Sequence, residues 1–291
     1  MKKQYLYAGI SILLWSTTAT VTKLLLGSLN SMQILLISSL FAFIFLLIVN
    51  MLKGNLKELK NFRLKDYLQF FGIGLLGTFF YNLFLYLGIN KMQASQAFII
   101  NYLWPIMTVV FACILLKEKM TIRKMIAIIL SFIGVIIVTS NGNLYIERSN
   151  LIGALFCILA AISYGLFSVI NKMKSNNKYL SMMLYYLSSF VISLIYVLTS
   201  KEWYVPQFDQ LLGLLWIGLF TSAIAFTSWA LALEKGDTAK ISNLAYITPF
   251  LSLIWTGVIL KEQIRIYSIV GLIIIVLGIF IQLKDKHGDV R

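Results

Sequence analysis

The amino-acid sequence predicts an all-α integral membrane protein, with ten transmembrane helices arranged as an inverted repeat of two five-helix halves. Three observations carry this. Over 291 residues the composition is 59% hydrophobic and only 12% charged, with a mean hydropathy of +0.86, whereas soluble domains are about a quarter charged. The apolar residues gather into stretches of roughly twenty, the length that crosses a hydrocarbon core. The second half of the chain also repeats the first in one register.

The apolar stretches lie near residues 5–29, 31–52, 67–90, 93–116, 121–140, 150–171, 180–200, 210–234, 239–260 and 264–283. Lipid offers no partner for exposed backbone groups, so each is read as a helix. A β-barrel would need alternating segments of about ten residues, and the stretches do not alternate. Lys2 and Lys3 ahead of an apolar run imitate a secretory signal peptide. That run continues to about Leu29, carries Lys23 and lacks a small-x-small cleavage site, so it is read as the first span. The short connections leave no room for a soluble domain.

The basic residues set the orientation. With the N-terminus inside, 19 of the 25 Lys and Arg fall in inside segments, five fall outside (Lys91, Arg148, Lys201, Lys261 and Arg265), and Lys23 lies within the first span. Cytoplasmic loops collect Lys and Arg, so both termini are expected in the cytoplasm, with the chain in the inner (cell) membrane. The net charge of +14 is therefore a topology signal, and no nucleic-acid partner is expected.

A shift of 144 residues aligns helices 4 and 5 with helices 9 and 10. Tyr102 then matches Tyr246, Pro105 matches Pro249, and Leu116-Lys117-Glu118 matches Leu260-Lys261-Glu262. Ala127 matches Gly271 and Gly134 matches Gly278, placing small residues two turns apart on one face of helices 5 and 10, where backbones approach closely. The repeat is five helices long, an odd number, so the halves 1–145 and 146–291 lie oppositely in the bilayer. In such folds the substrate site lies where the halves meet, near the midplane.

Several chemistries are excluded by what is missing. His287, the only histidine, lies in the polar C-terminal tail, and Cys113 and Cys157 fall in apolar segments where they pack. No metal, no cofactor and no enzymatic activity is expected. A GxxxxGK[ST] run is absent, so the chain has no ATP site of its own. The five arginines, Arg63, Arg123, Arg148, Arg265 and Arg291, lie in loops, helix ends or the tail, which disfavours sugar-phosphate cargo. No carboxylate lies near the centre of a span, so no conventional acidic proton relay is evident.

Polar groups at membrane depth are expensive unless they face a cavity or a partner. Gln93, Asn101, Trp104 and Thr108 share a stripe on helix 4, and Thr78, Asn82 and Tyr86 share one on helix 3. Tyr164, Ser168 and Asn171 do so on helix 6, while helix 8 offers Thr221, Ser228 and Trp229 and helix 9 offers Asn243, Tyr246 and Thr248. The expected substrate cavity is lined by Lys23, Tyr81, Asn82, Tyr86, Asn101, Tyr102, Trp104, Tyr164, Trp229, Asn243 and Tyr246. Such a lining suits an amphiphilic organic solute, because rings stack while amides and hydroxyls fix polar ends. The same residue types also form interfacial belts and interhelical bonds. Lys23 either snorkels to the headgroups or attracts a substrate carboxylate. Glu118 and Glu262, beside lysines at helix ends, read as local ion-pair partners. Pro105 and Pro249 each remove a backbone hydrogen bond and are expected to kink helices 4 and 9 at matched positions; transport at the native rate by their alanine variants would count against bending there.

Trp15-Ser16…Lys23, Pro105…Lys117-Glu118, its repeat Pro249…Lys261-Glu262, and the glycines of helices 5 and 10 resemble the drug/metabolite transporter superfamily, specifically its ten-helix members with two EamA-type halves. Asn101-Tyr102-Leu103-Trp104-Pro105 is similar to a stretch of the YddG-type aromatic amino-acid exporters, and Tyr81, Asn82 and Tyr86 correspond to aromatic and polar helix-3 residues of those proteins. One departure is Ser38-Ser39, where many EamA halves carry an arginine. The resemblance implies a secondary transporter of a small organic metabolite, amino acids and aromatic ones among them, exporting by alternating access. A multidrug or organic-cation extruder of the same fold is the alternative. Its partners are then a small-molecule substrate and the lipid bilayer, as a monomer or homodimer.

Overall fold

The structure, a computed structural model, describes residues 3–117, 119–143, 146–174, 176–235 and 244–283. Its membrane helices, numbered in chain order, are α1 (Lys3–Leu25), α2 (Ser31–Leu52), α3 (Leu64–Lys91), α4 (Ala94–Leu115), α5 (Ile122–Ser140), α6 (Arg148–Lys172), α7 (Lys178–Ser200), α8 (Phe208–Glu234), α9 (Ile247–Ile259) and α10 (Ile266–Leu283). Eight are long and apolar enough to cross a bilayer, and α9 and α10 are shorter apolar helices. Their order and placement follow the ten apolar stretches. The start of the ninth stretch, like Glu118 and His287, lies outside the described residues.

Packing shows the halves to be related by a pseudo-two-fold axis. Helices α5 and α10 cross antiparallel on their small residues. A Cβ on Gly134 would stand 2.7 Å from the Gly271 carbonyl oxygen, one on Gly271 would stand 2.7 Å from that of Gly134, and one on Gly278 would stand 2.9 Å from that of Ala127. Ala127 thus meets the repeat partner of Gly134, and Gly134 meets the repeat partner of Ala127, as a self-complementary two-fold contact requires. Because α5 and α10 occupy the same place in each half yet run antiparallel, the halves are inverted. Helices α2 and α7 pack against each other in the same way, with Asn50 Nδ2 donating to Tyr179 O at 3.1 Å and Gln33 Nε2 to Glu202 O at 2.8 Å. Helices α3 and α4 pack on α6, and α8 and α9 pack on α1, completing the two equivalent lobes.

The 144-residue register extends to details. At the start of α3 Asp66 Oδ2 accepts from Arg63 N at 2.8 Å, and at the start of α8 Gln210 Oε1 accepts from Gln207 N at 2.8 Å. Left-handed lysines end α4 (Lys117, φ 55) and α9 (Lys261, φ 54). Both α3 and α8 also contain a π-helical stretch, Leu75–Phe80 and Trp216–Ile224. Carbonyls within or beside these wide turns find partners on the neighbouring helix. Ser163 Oγ of α6 donates to Leu76 O at 2.7 Å, while Trp15 Nε1 and Ser11 Oγ of α1 donate to Thr221 O at 3.2 Å and Ala225 O at 2.8 Å. Two helices break. In α1, Ser16 and Thr17 hydroxyls bond back to Leu13 and Leu14 carbonyls at 2.7 Å each, competing with the helical ladder. In α4 the chain turns at Tyr102-Leu103, because Pro105 has no N–H to give the Asn101 carbonyl, and Pro105 then opens the second segment. Pro249 sits in the first turn of α9, directly after a turn at Ala245-Tyr246 that follows the helical Leu244. Large apolar side chains such as Ile129, Ile136 and Phe132 face outward to lipid, and no charged side chain is buried among the described residues.

Candidate functional site

Among the described residues, two adjoining voids lie between the lobes. The smaller has room for about one water molecule, some 20 Å³, and is lined by Trp15, Thr18, Tyr81, Asn82, Phe98, Asn101, Tyr102, Trp104, Tyr164, Thr221, Ser222 and Phe226. The larger, about 440 Å³, runs from Trp104, Tyr164, Phe226 and Trp229 past Thr108, Ser168 and Asn171 to a mouth bearing Lys172, Lys178 and Glu234. Trp104, Tyr164 and Phe226 line both voids and form the partition between them.

Local structure places these groups. Tyr81 and Asn82 directly follow the π turn of α3, and Thr221 and Ser222 lie within that of α8, and all four line the chamber. The break in α4 swings Trp104 inward. Gly165 lets α4 and α6 approach almost to backbone contact, a Cβ there standing 2.6 Å from that of Met107, which brings Trp104 and Tyr164 together. Their rings meet edge to face at 5.1 Å, and Tyr164 meets Phe226 in the same way at 5.7 Å. Trp15 braces the partition from α1, its ring 5.3 Å from both Phe226 and Trp229. In the chamber, Asn101 Nδ2 donates to the Tyr81 hydroxyl at 3.3 Å and Asn82 Nδ2 to Thr78 O at 2.7 Å. Asn101 Oδ1 and Thr18 Oγ1 have no protein partner and line a polar void.

Of the residues the sequence nominates, Tyr81, Asn82, Asn101, Tyr102, Trp104, Tyr164 and Trp229 are brought together here. Four are not. Tyr86 is fully buried among Leu25, Ile34 and Leu35, away from both voids. Tyr246 packs on Phe280 at 5.9 Å. Lys23 is drawn to backbone carbonyls, Nζ to Ile89 O at 2.7 Å and to Met92 O at 2.8 Å. Asn243 lies outside the described residues. Thr78, on the same stripe as Asn82, bonds across to α7 through Ser189 Oγ at 2.6 Å and Tyr185 O at 2.9 Å. The sequence reading missed Thr18, Phe226, Lys172, Lys178 and Glu234. Trp15 carried a signal through its family pattern, whereas Phe226 reads as ordinary apolar background.

An inverted ten-helix repeat enclosing a solute-sized cavity with one charged mouth is a multi-pass membrane transporter. The chain belongs to the EamA-like transporter family, which it matches over residues 2–140 and again over 151–283. Among its relatives are an "Uncharacterized transporter" of Archaeoglobus fulgidus, 22% identical over 98% of this chain and 100% of that one, and one of Clostridium kluyveri, 25% identical over 100% and 97%. The "Uncharacterized transporter YoaV" of Bacillus subtilis is 26% identical over 77% of this chain and 75% of that one. A crystal structure with 18% identity superposes over 96% of each chain with a TM-score of 0.71, a likeness of fold.

Proposed function

We propose that this chain is a secondary transporter that exports a small amphiphilic metabolite, an amino acid with an aromatic or bulky apolar side chain, across the inner membrane by alternating access. The observation that supports this most is the larger cavity. Its volume of about 440 Å³ lies in the range of small-molecule sites, roughly 300–1,000 Å³. Its deep end offers Trp104, Tyr164, Phe226 and Trp229 to a ring, its middle offers hydroxyl and amide groups, and its mouth offers charges of both signs. A zwitterion with an apolar body matches that order of chemistry. The lysine-rich segment at the mouth, with Lys172, Lys174 and Lys178, belongs to the side that the charge bias assigns to the cytoplasm. A cavity open to that side is loaded from within, as an exporter requires. The two lysines at the mouth weigh against an organic cation as cargo, although the aromatic wall and Glu234 would attract one.

Uptake into proteoliposomes of a panel of labelled amino acids and organic cations, with and without a pH gradient, tests this. Aromatic amino acids are expected to enter and to compete with one another. Failure of every amino acid to cross, with cations crossing instead, would overturn the substrate assignment.

A further inference from the structure

Lys23 and Glu262 take no part in either cavity, yet both seize the same short stretch of chain. Helix α3 ends at Lys91 and α4 begins at Ala94, so only Met92 and Gln93 join them. From α1, the Lys23 ammonium donates to Ile89 O at 2.7 Å and Met92 O at 2.8 Å, at the C-terminal end of α3. From the segment after α9, the Glu262 carboxylate accepts from Ala94 N at 2.8 Å and Ser95 N at 3.0 Å, the first two residues of α4. A cation at a helix C-terminus and an anion at a helix N-terminus each complement the helix dipole, and each makes two charge-assisted hydrogen bonds. The two side chains also attract each other. One turn of the first half is thus gripped by α1 and by the second half at once.

This grip lies at the end of the molecule remote from the cavity mouth. The bonds from Ser11 to Ala225 and from Trp15 to Thr221 set α1 and α8 antiparallel, so Lys23 lies level with the start of α8, and Glu234 at the mouth with the start of α1. At 1.5 Å per residue the two ends stand roughly 30 Å apart. Thr18, in the wall of the small chamber, precedes Lys23 by little more than one turn. The grip therefore stands just beyond the chamber, on the side away from the mouth.

The repeat supplies a counterpart. Trp15 and Lys23 on α1 have the same spacing as Tyr164 and Lys172 on α6, and Trp15 and Tyr164 both line the chamber. Lys172, however, stands at the open mouth. We propose that Lys23 and Glu262 are the latch of the closed gate, and that Lys172 is the equivalent latch residue, taking hold of the C-terminal end of α8 when the mouth closes and the opposite side opens. Inverted halves exchange roles between the two states of a carrier, so a latch made on one side and released on the other is what turnover needs. This deepens the transport reading and rests on it.

The test is a single reporter, Thr18→Cys, labelled with a membrane-impermeant maleimide from each side of the bilayer in right-side-out and inside-out vesicles, without added solute, with the chain lacking the reporter as the blank. Lys23→Met and the isosteric Glu262→Gln are each expected to speed labelling from the Lys23 side by about tenfold, the shift that loss of charge-assisted hydrogen bonds produces in a two-state equilibrium. Lys23→Arg, which keeps the charge and the donors, is expected to restore slow labelling, and Lys172→Met to slow it further. Labelling from that side within twofold of the parent in Glu262→Gln, or faster labelling in Lys172→Met, would overturn the proposal, and Glu262→Gln decides it even where Lys23→Met does not fold. Absence of solute flux in the same vesicles would count against the transport reading and not against the latch, which is read from labelling alone.

Discussion

Trp104 stands in the wall of both voids, and its position follows from a proline one residue later. Without an N–H on Pro105, α4 turns at Tyr102-Leu103 and delivers the indole to the partition with Tyr164 and Phe226. If the cavity receives a ring, the indole supplies one of its faces, a contact worth roughly 1.5–3 kcal/mol when fully buried. Trp104→Ala is accordingly expected to raise the half-saturating solute concentration by about tenfold or more, as measured by uptake in proteoliposomes normalised to folded protein. An unchanged half-saturation would remove Trp104 from the solute site. Trp104 and Asn101 share a stripe in the sequence and line the same small void, because a stripe at helical spacing fixes which way a side chain faces. It does not fix how the other helices close over that face at each depth. Tyr86 lies one turn beyond Asn82, and there α1 and α2 close over the helix with Leu25, Ile34 and Leu35, leaving a packed tyrosine where the stripe implied a lining one. Lys23 was illegible for a different reason. Its partners are carbonyls 66 and 69 residues away on another helix, and no residue pattern announces a backbone acceptor.

At the level of single helices, α5 and α10 carry the clearest link between sequence and packing. In lipid there is no hydrophobic drive between helices, so close van der Waals contact across small residues does the work. Gly134 and Gly271 are each so near the other's carbonyl that any side chain must push the backbones apart. Gly134→Val is expected to destabilise the protein by about 1–3 kcal/mol, the usual range for overpacking, seen as a lower melting midpoint in detergent. Gly9→Ala, where an added Cβ meets nothing within 4 Å, serves as the neutral control, and equal midpoints for the two variants would contradict the account. This face was readable because the repeat doubled the signal, aligning Ala127 with Gly271 and Gly134 with Gly278. The π turns in α3 and α8 were not readable. A turn wide by one residue needs no special composition, and its sign is a set of carbonyls bonded to the neighbouring helix, as Leu76 is to Ser163 and Thr221 to Trp15.

For the molecule as a whole, ten spans and an inverted repeat were legible in charge bias, apolar length and a matched register. Which end of the cavity opens in the structure was not, because it depends on which of two similar sets of contacts is made. Here the α3–α4 turn is gripped and the mouth by Lys172 is open. The proposed alternating-access carrier is expected to return faster when loaded than when empty, whereas a pore is indifferent to what waits on the far side. Trans-stimulation therefore tests the central claim most directly. Vesicles preloaded with unlabelled aromatic amino acid should take up the labelled form several-fold faster at first than empty vesicles, and Trp104→Ala should blunt that gain. Initial rates that ignore the internal solute would contradict alternating access through the cavity described.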